Sequence, residues 1–138
     1  MVQPYLFFEG RCEEAIEFYR KALDAKVDML MRYDDNPEPP PESMIPPGNG
    51  QKIMHSALSA GGSVFMMSDG LCGGKSNFHG FSLSVQAADE AEARRRFDAL
   101  ADGGKVDMPL SPSFFSPAFG MLIDRFGVSW MVVVHQAM

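Results

Sequence analysis

His55, Ser68, Asp69 and His79 are the side chains best suited to chemistry in this chain, which is otherwise rich in methionine and phenylalanine, with 11 of each. His55 alternates with Ile53 and Ala57 in a segment that reads as a strand. An imidazole there can act as a general base or contact a ligand near neutral pH, and it can equally be a hydrogen-bonded structural residue. Ser68 and Asp69 close the next strand. Asp69 can orient His55, bind a ligand or cap the turn into Gly70. His55 and Asp69 are therefore the catalytic candidates, and His55, Ser68 and Asp69 are the expected polar ligand contacts. His79 begins a further strand and is a contact candidate. His135, near the C-terminus, is expected to be exposed.

Phe65, Met67 and Trp130, together with Phe81, are candidates for the wall of an apolar pocket, because methionine and aromatic rings fill irregular shapes. Ordinary core packing is the competing reading. Phe114 and Phe115 lie between Pro112 and Pro117 in a loop, where paired aromatics suit a pocket cover or a subunit contact. Cys12 and Cys72 form no CxxC pair and have no metal-site spacing. No histidine stands beside either in sequence, so neither reads as a nucleophile, and no metal site is expected from them.

These residues are carried by a repeating order of elements. Residues 2–8 read as a strand and 12–23 as an amphipathic helix, with Ala15, Ile16, Phe18, Tyr19, Ala22 and Leu23 as its apolar residues. Residues 27–33 read as a strand. Residues 34–51 hold six prolines and form a long loop, either a lid or a disordered segment. Strands at 52–60 and 63–68 flank the hairpin signal Gly61-Gly62. A glycine-bearing linker, 69–77, follows. The order then begins again: strand 78–85, helix 89–101 capped by Asp89, strand 106–110, loop 111–117, and a hairpin of 119–124 with 128–135.

The residues themselves repeat. Phe18 precedes Lys26-Val27-Asp28-Met29 as Phe97 precedes Lys105-Val106-Asp107-Met108, at a constant offset of 79. Gly62-Ser63-Val64-Phe65-Met66 answers Gly127-Val128-Ser129-Trp130-Met131 at an offset of 65. The pattern predicts one domain, residues 1–138, made of a βαβββ repeat at about 1–70 and another at about 78–138. Two such units can curl their strands around a concave space that suits a ligand.

Composition excludes other classes. The net charge of −6 repels phosphate backbones, and Arg94-Arg95-Arg96 sits among Glu90, Glu92 and Asp98 as a solvated helix face. Nucleic-acid binding is not expected. No apolar run approaches the ~20 residues of a membrane helix. Met1-Val2-Gln3-Pro4-Tyr5 does not read as a signal peptide, and with two unpaired cysteines the expected location is cytoplasmic.

Pro4-Tyr5-Leu6-Phe7-Phe8-Glu9-Gly10 runs into Glu14-Ala15-Ile16-Glu17-Phe18-Tyr19. With His55-Ser56-Ala57-Leu58, Met66-Met67-Ser68-Asp69 and Asp124-Arg125-Phe126-Gly127-Val128-Ser129-Trp130-Met131, it resembles the vicinal oxygen chelate superfamily. That group includes glyoxalase I, extradiol dioxygenases and the bleomycin- and fosfomycin-resistance proteins, and the likeness is strongest to its PhnB-like branch. The resemblance implies an α+β fold in which paired βαβββ modules form a curved mixed sheet around a cavity, a small-molecule ligand, and a homodimer.

Metal enzymes of the superfamily take a His/Glu quartet from the first and last strands of each module. The corresponding positions fall here on Pro4, near Met67, near Gly80 beside His79, and on Met131. Proline, methionine and glycine are not usual ligands for the metals concerned. The expectation is a small-molecule-binding protein without a cofactor. The alternatives are a lyase, isomerase or dioxygenase holding a divalent metal through displaced ligands such as His55, His79 and Asp69, or a sequestering binder without turnover. Names in this branch imply ubiquinone methyl transfer, but the chain has no glycine-rich strand-to-helix turn for a methyl donor.

Overall fold

The structure, a computed structural model, describes residues 1–38 and 46–134. Pro39, Pro40 and Pro41 of the expected long loop, and His135, lie outside the described residues. The chain groups into two compact units, Met1–Ser76 and Asn77–Met138.

The first unit contains β1 (Tyr5–Phe7), α1 (Cys12–Leu23), β2 (Lys26–Arg32), a 3₁₀ turn (Tyr33–Asp35), β3 (Ile53–Ala60) and β4 (Ser63–Ser68). Its sheet runs β1-β4-β3-β2, with β1 parallel to β4 and the other pairs antiparallel. Helix α1 buries Ala15, Ile16, Tyr19, Ala22 and Leu23. That is one stripe at helical spacing, and it packs on the sheet. Glu13 and Glu14 in the first turn and Arg20 and Lys21 in the last match the helix dipole. The described ends of the long loop are tied together: Asp34 N–H donates to the Gly50 carbonyl, and the Gln51 side chain donates to Asp34.

The second unit contains β5 (Leu83–Ala87), α2 (Glu90–Ala101), β6 (Lys105–Ser111), β7 (Phe119–Ile123) and β8 (Ser129–Val134). Its sheet runs β5-β8-β7-β6, again with the first pair parallel. Ala93, Phe97 and Leu100 form the buried stripe of α2.

The two units share an irregularity as well as an order. In β2 the pairing register shifts between Val27 and Met29, and in β6 it shifts between Val106 and Met108. The Lys-Val-Asp-Met repeat thus encodes the same bulge twice, at Asp28 and Asp107.

Two strands differ from the sequence expectation. β1 begins at Tyr5 rather than residue 2, and Met1 and Val2 are fully exposed. β5 is Leu83–Ala87 rather than 78–85. Gly80 has φ +83°, a left-handed conformation that cannot continue a strand. No helix among the described residues is long and apolar enough to cross a membrane.

Candidate functional site

Each sheet has one face under its helix and one face that the helix leaves free, and strand alternation assigns every side chain to one or the other. In the first unit Leu6 pairs with Met67, Ser56 with Met67, and Leu58 with Phe65. All five are buried, and the Phe65 ring lies 6.0 Å from that of Tyr19 on α1. This is the helix-covered face. The other face carries Tyr5 and Ala57 beside Met66, Met29 opposite Ala57, and Met31 opposite His55. Phe7 joins it at 50% exposure.

Here Tyr5 Oη and His55 Nδ1 are 3.0 Å apart, and the two rings are near-parallel with centroids 5.6 Å apart. The Phe7 ring lies 4.9 Å from that of Tyr5. A partly exposed imidazole held by a phenol, in a field of rings and thioethers, is the most chemically distinctive feature of the free face. It can hold an apolar or aromatic molecule and offer it one polar contact.

The structure separates the expected site residues. His55 is on the free face. Phe65 and Met67 are not; they are core residues under α1. Trp130, 3% exposed, lies on the helix-covered side of β8, and its indole N–H donates to Asp124 at 2.8 Å. The expectation of a pocket wall from Phe65, Met67 and Trp130 is therefore corrected to core packing.

Asp69 is fully buried. One carboxylate oxygen accepts from Gly10 N–H at 2.7 Å and Cys12 N–H at 2.8 Å, and the other from Ile53 N–H at 2.8 Å. It clamps the β1–α1 turn to β3 instead of orienting His55, whose partner is Tyr5. Ser68 is buried, and its hydroxyl accepts from Gly70 N–H. His79 is exposed and precedes β5, because the chain at Gly80 is not extended. Phe81 is 45% exposed, also ahead of β5. Phe114 is 97% exposed and Phe115 44%, and Phe115 packs edge-on against Phe119 at 5.0 Å.

Tyr5, Phe7, Met29, Met31 and Met66 were missed, though a signal for Met66 was available. A two-residue turn at Gly61-Gly62 pairs Ala60 with Ser63. Counting back places Ala57 opposite Met66 and His55 level with Ser68, which puts Phe65 and Met67 on the face away from His55.

Neither thiol is activated. Burial, with the Asp69 charge nearby, pushes the Cys12 thiol far up, and burial raises that of Cys72. Burial also pushes the Tyr33 phenol up to about 12, and its hydroxyl donates to the Gly70 carbonyl. The quartet positions implied by the resemblance fall on Pro4, near Met67, near Gly80 and on Met131, and the one imidazole beside them, His79, is exposed. Among the described residues no group of three or more His, Cys, Asp or Glu is placed to hold a metal ion. The side chains present do not fit that metal centre.

Residues 1–133 match the family described as 3-demethylubiquinone-9 3-methyltransferase. The chain belongs to this family. It is 33% identical over 138 residues to Protein YjdN of Escherichia coli (strain K12), covering 96% of this chain and 94% of that one. It is 39% identical to protein PA1353 from Pseudomonas aeruginosa, with a TM-score of 0.85 over 99% of this chain and 98% of that one. It is 32% identical to a putative 3-demethylubiquinone-9 3-methyltransferase, PhnB protein, from Bacillus cereus, with a TM-score of 0.78 over 96% and 98%.

Two more distant structures share the fold. The fosfomycin resistance protein FosX from Listeria monocytogenes is 9% identical, with a TM-score of 0.65 over 99% of this chain and 93% of that one. A glyoxalase-related enzyme from Fulvimarina pelagi is 17% identical, with a TM-score of 0.62 over 98% and 88%. The chain is thus PhnB-like, with the α+β fold of two mixed sheets that these distant structures share.

The family description implies a methyl donor. A helix start can hold a carboxylate of such a donor through its free amides. In this PhnB-like chain the amides of Gly10 and Cys12 at the start of α1 donate to Asp69, and that of Glu92 in α2 donates to Asp89. These three amides are taken by the chain's own carboxylates.

Proposed function

We propose that this PhnB-like protein binds a small apolar or aromatic molecule on the free face of its first sheet, without the superfamily's metal quartet. The observation that carries this reading is the Tyr5–His55 pair, 3.0 Å apart, set beside Phe7 and Met66. Rings supply flat apolar area, thioethers adapt to its outline, and the imidazole gives one polar contact. A metal enzyme with displaced ligands has less support: Asp69 is committed to three backbone amides and His79 stands exposed off the strand, which leaves His55 alone. A sequestering binder and an enzyme differ by whether the ligand is returned unchanged, and His55 is the group on this face able to move a proton. Homodimer formation belongs to the proposal through the family resemblance, with exposed Phe114 and Phe115 as supporting apolar surface. A reducing, cytoplasmic location suits the two free thiols.

Methionine-methyl NMR tests the reading against a library of aromatic fragments. Binding fragments should shift the methyls of Met29 and Met66 more than that of buried Met67. A library that moves none of them sinks the proposal. Metal analysis of tag-free protein by mass spectrometry tests the rest, and about one divalent ion per chain would overturn the metal-free reading.

A further inference from the structure

The free faces of the two units can be compared row by row. In the first, Tyr5, Met66 and Ala57 stand side by side; in the second, Ser84, Met131 and Met121 do. His55 lies two residues before Ala57, and Phe119 two residues before Met121. The Tyr5–His55 pair of the first unit is therefore Ser84 and Phe119 in the second. The polar pair is a feature of one face and not of the shared architecture.

The pair has a preferred polarity. A phenol is a better donor than acceptor, because its oxygen lone pair is delocalised into the ring, whereas an sp² imidazole nitrogen is a strong acceptor. In the neutral imidazole this polarity has Tyr5 Oη–H donating to Nδ1, which leaves the ring proton on Nε2. Among the described residues His55 makes no other hydrogen bond, and no buried polar side-chain atom lacks a partner, so Nε2 is open to solvent. Its N–H is a positioned donor beside the rings of Tyr5 and Phe7.

The charge around it selects a neutral acceptor. Arg32 is engaged by Glu13, and Lys52 by the Gly10 carbonyl. Lys26 faces Ser59, four residues along β3 from His55, about 13 Å away by strand rise, and Asp28 accepts from the same serine. A carboxylate on an apolar face needs a cation to offset its desolvation, whereas a single N–H donor satisfies a carbonyl.

Resting on the binding face proposed above, we infer that the ligand is a neutral, planar carbonyl compound, an aromatic or conjugated ketone or aldehyde. Its oxygen accepts from His55 Nε2–H while its ring lies on Tyr5 and Phe7. Tyr5 is a positioning residue that sets the imidazole proton.

Three probes of one size test this: acetophenone, ethylbenzene and benzoate, titrated by methionine-methyl NMR into the wild-type protein, His55→Phe and Tyr5→Phe. His55→Phe copies the residue that Phe119 already places at the equivalent position. The ratio of acetophenone to ethylbenzene affinity should fall by about tenfold in His55→Phe, the worth of one hydrogen bond. Proton–nitrogen correlation spectra should place the His55 proton on Nε2 in the wild type, and Tyr5→Phe should shift it toward a mixture of tautomers. A ratio that does not change, or benzoate binding tighter than acetophenone, overturns the inference while the binding face stands. No methyl shift with any of the three probes removes both.

Discussion

The two helices begin in different ways. α2 is capped from within: Asp89 accepts from Glu92 N–H at 2.8 Å, three residues on, and the Glu92 carboxylate reaches back to Ala88 N–H. α1 has Arg11 at its N-cap and no side-chain cap of its own. Its first amide, Cys12, is satisfied by Asp69 from the end of β4, 57 residues away. The same orphan donors are met locally in one unit and by tertiary folding in the other. A local cap stabilises one helix end. A cap that also binds Gly10 and Ile53 ties a turn, a helix and a strand into one cooperative unit, and its loss should spread further.

Removing Asp69 is the strongest way to break this comparison. Asp69→Ala leaves three amides, two of them buried, without an acceptor and should cost about 3–5 kcal/mol in urea unfolding. Hydrogen exchange should accelerate through the first turn of α1 and the start of β3. A loss near that of an ordinary cap would show that the clamp is no different in kind from Asp89. Met67 and Met66 sharpen the contrast between faces, since they are sequence neighbours on opposite sides of β4. Met67→Ala should cost about 2–5 kcal/mol, and Met66→Ala under about 1 kcal/mol while weakening aromatic probes. Equal losses in thermal melts would undo the assignment of faces.

Gly120 tests the second unit against the first. It occupies in β7 the place of Ser56 in β3, and a Cβ there would meet the Phe97 ring at 2.7 Å. Gly120→Ser should therefore destabilise by about 1–3 kcal/mol through overpacking, although serine is native at the equivalent site. A melt unchanged from wild type would mean that α2 can shift to accept it.

The smallest effects belong to the local cap. Asp89→Ala should cost about 1 kcal/mol. The Ala88 amide, and next Arg96, hold the Glu92 carboxyl below its ordinary value of 4.5. A lowered folded value stabilises above the unfolded one and is lost as pH falls through the folded one, so wild type and Glu92→Gln should differ in Tm near pH 7 and converge as acid protonates the folded carboxyl. A difference that persists in acid would assign the effect to packing.

What could be read from the sequence and what could not divide along the same line as the two caps. The limits of α1, β3 and β4, the Asp89 cap and the duplicated order follow from periodicity, turn residues and repeated tetrapeptides, all of which act over a few residues. The resemblance to the PhnB-like branch rested on those same segments. Alternation along a strand shows that there are two faces, but not which one a helix will cover. That choice placed Phe65, Met67 and Trp130 in the core and left Tyr5, Phe7 and Met66 on the free face. Nor does a strand end reveal where a carboxylate will be spent, and Asp69 went to three distant amides rather than to His55. Local propensity is set by neighbours in the chain. The face of a sheet and the partner of a buried charge are set by whichever distant element makes burial favourable.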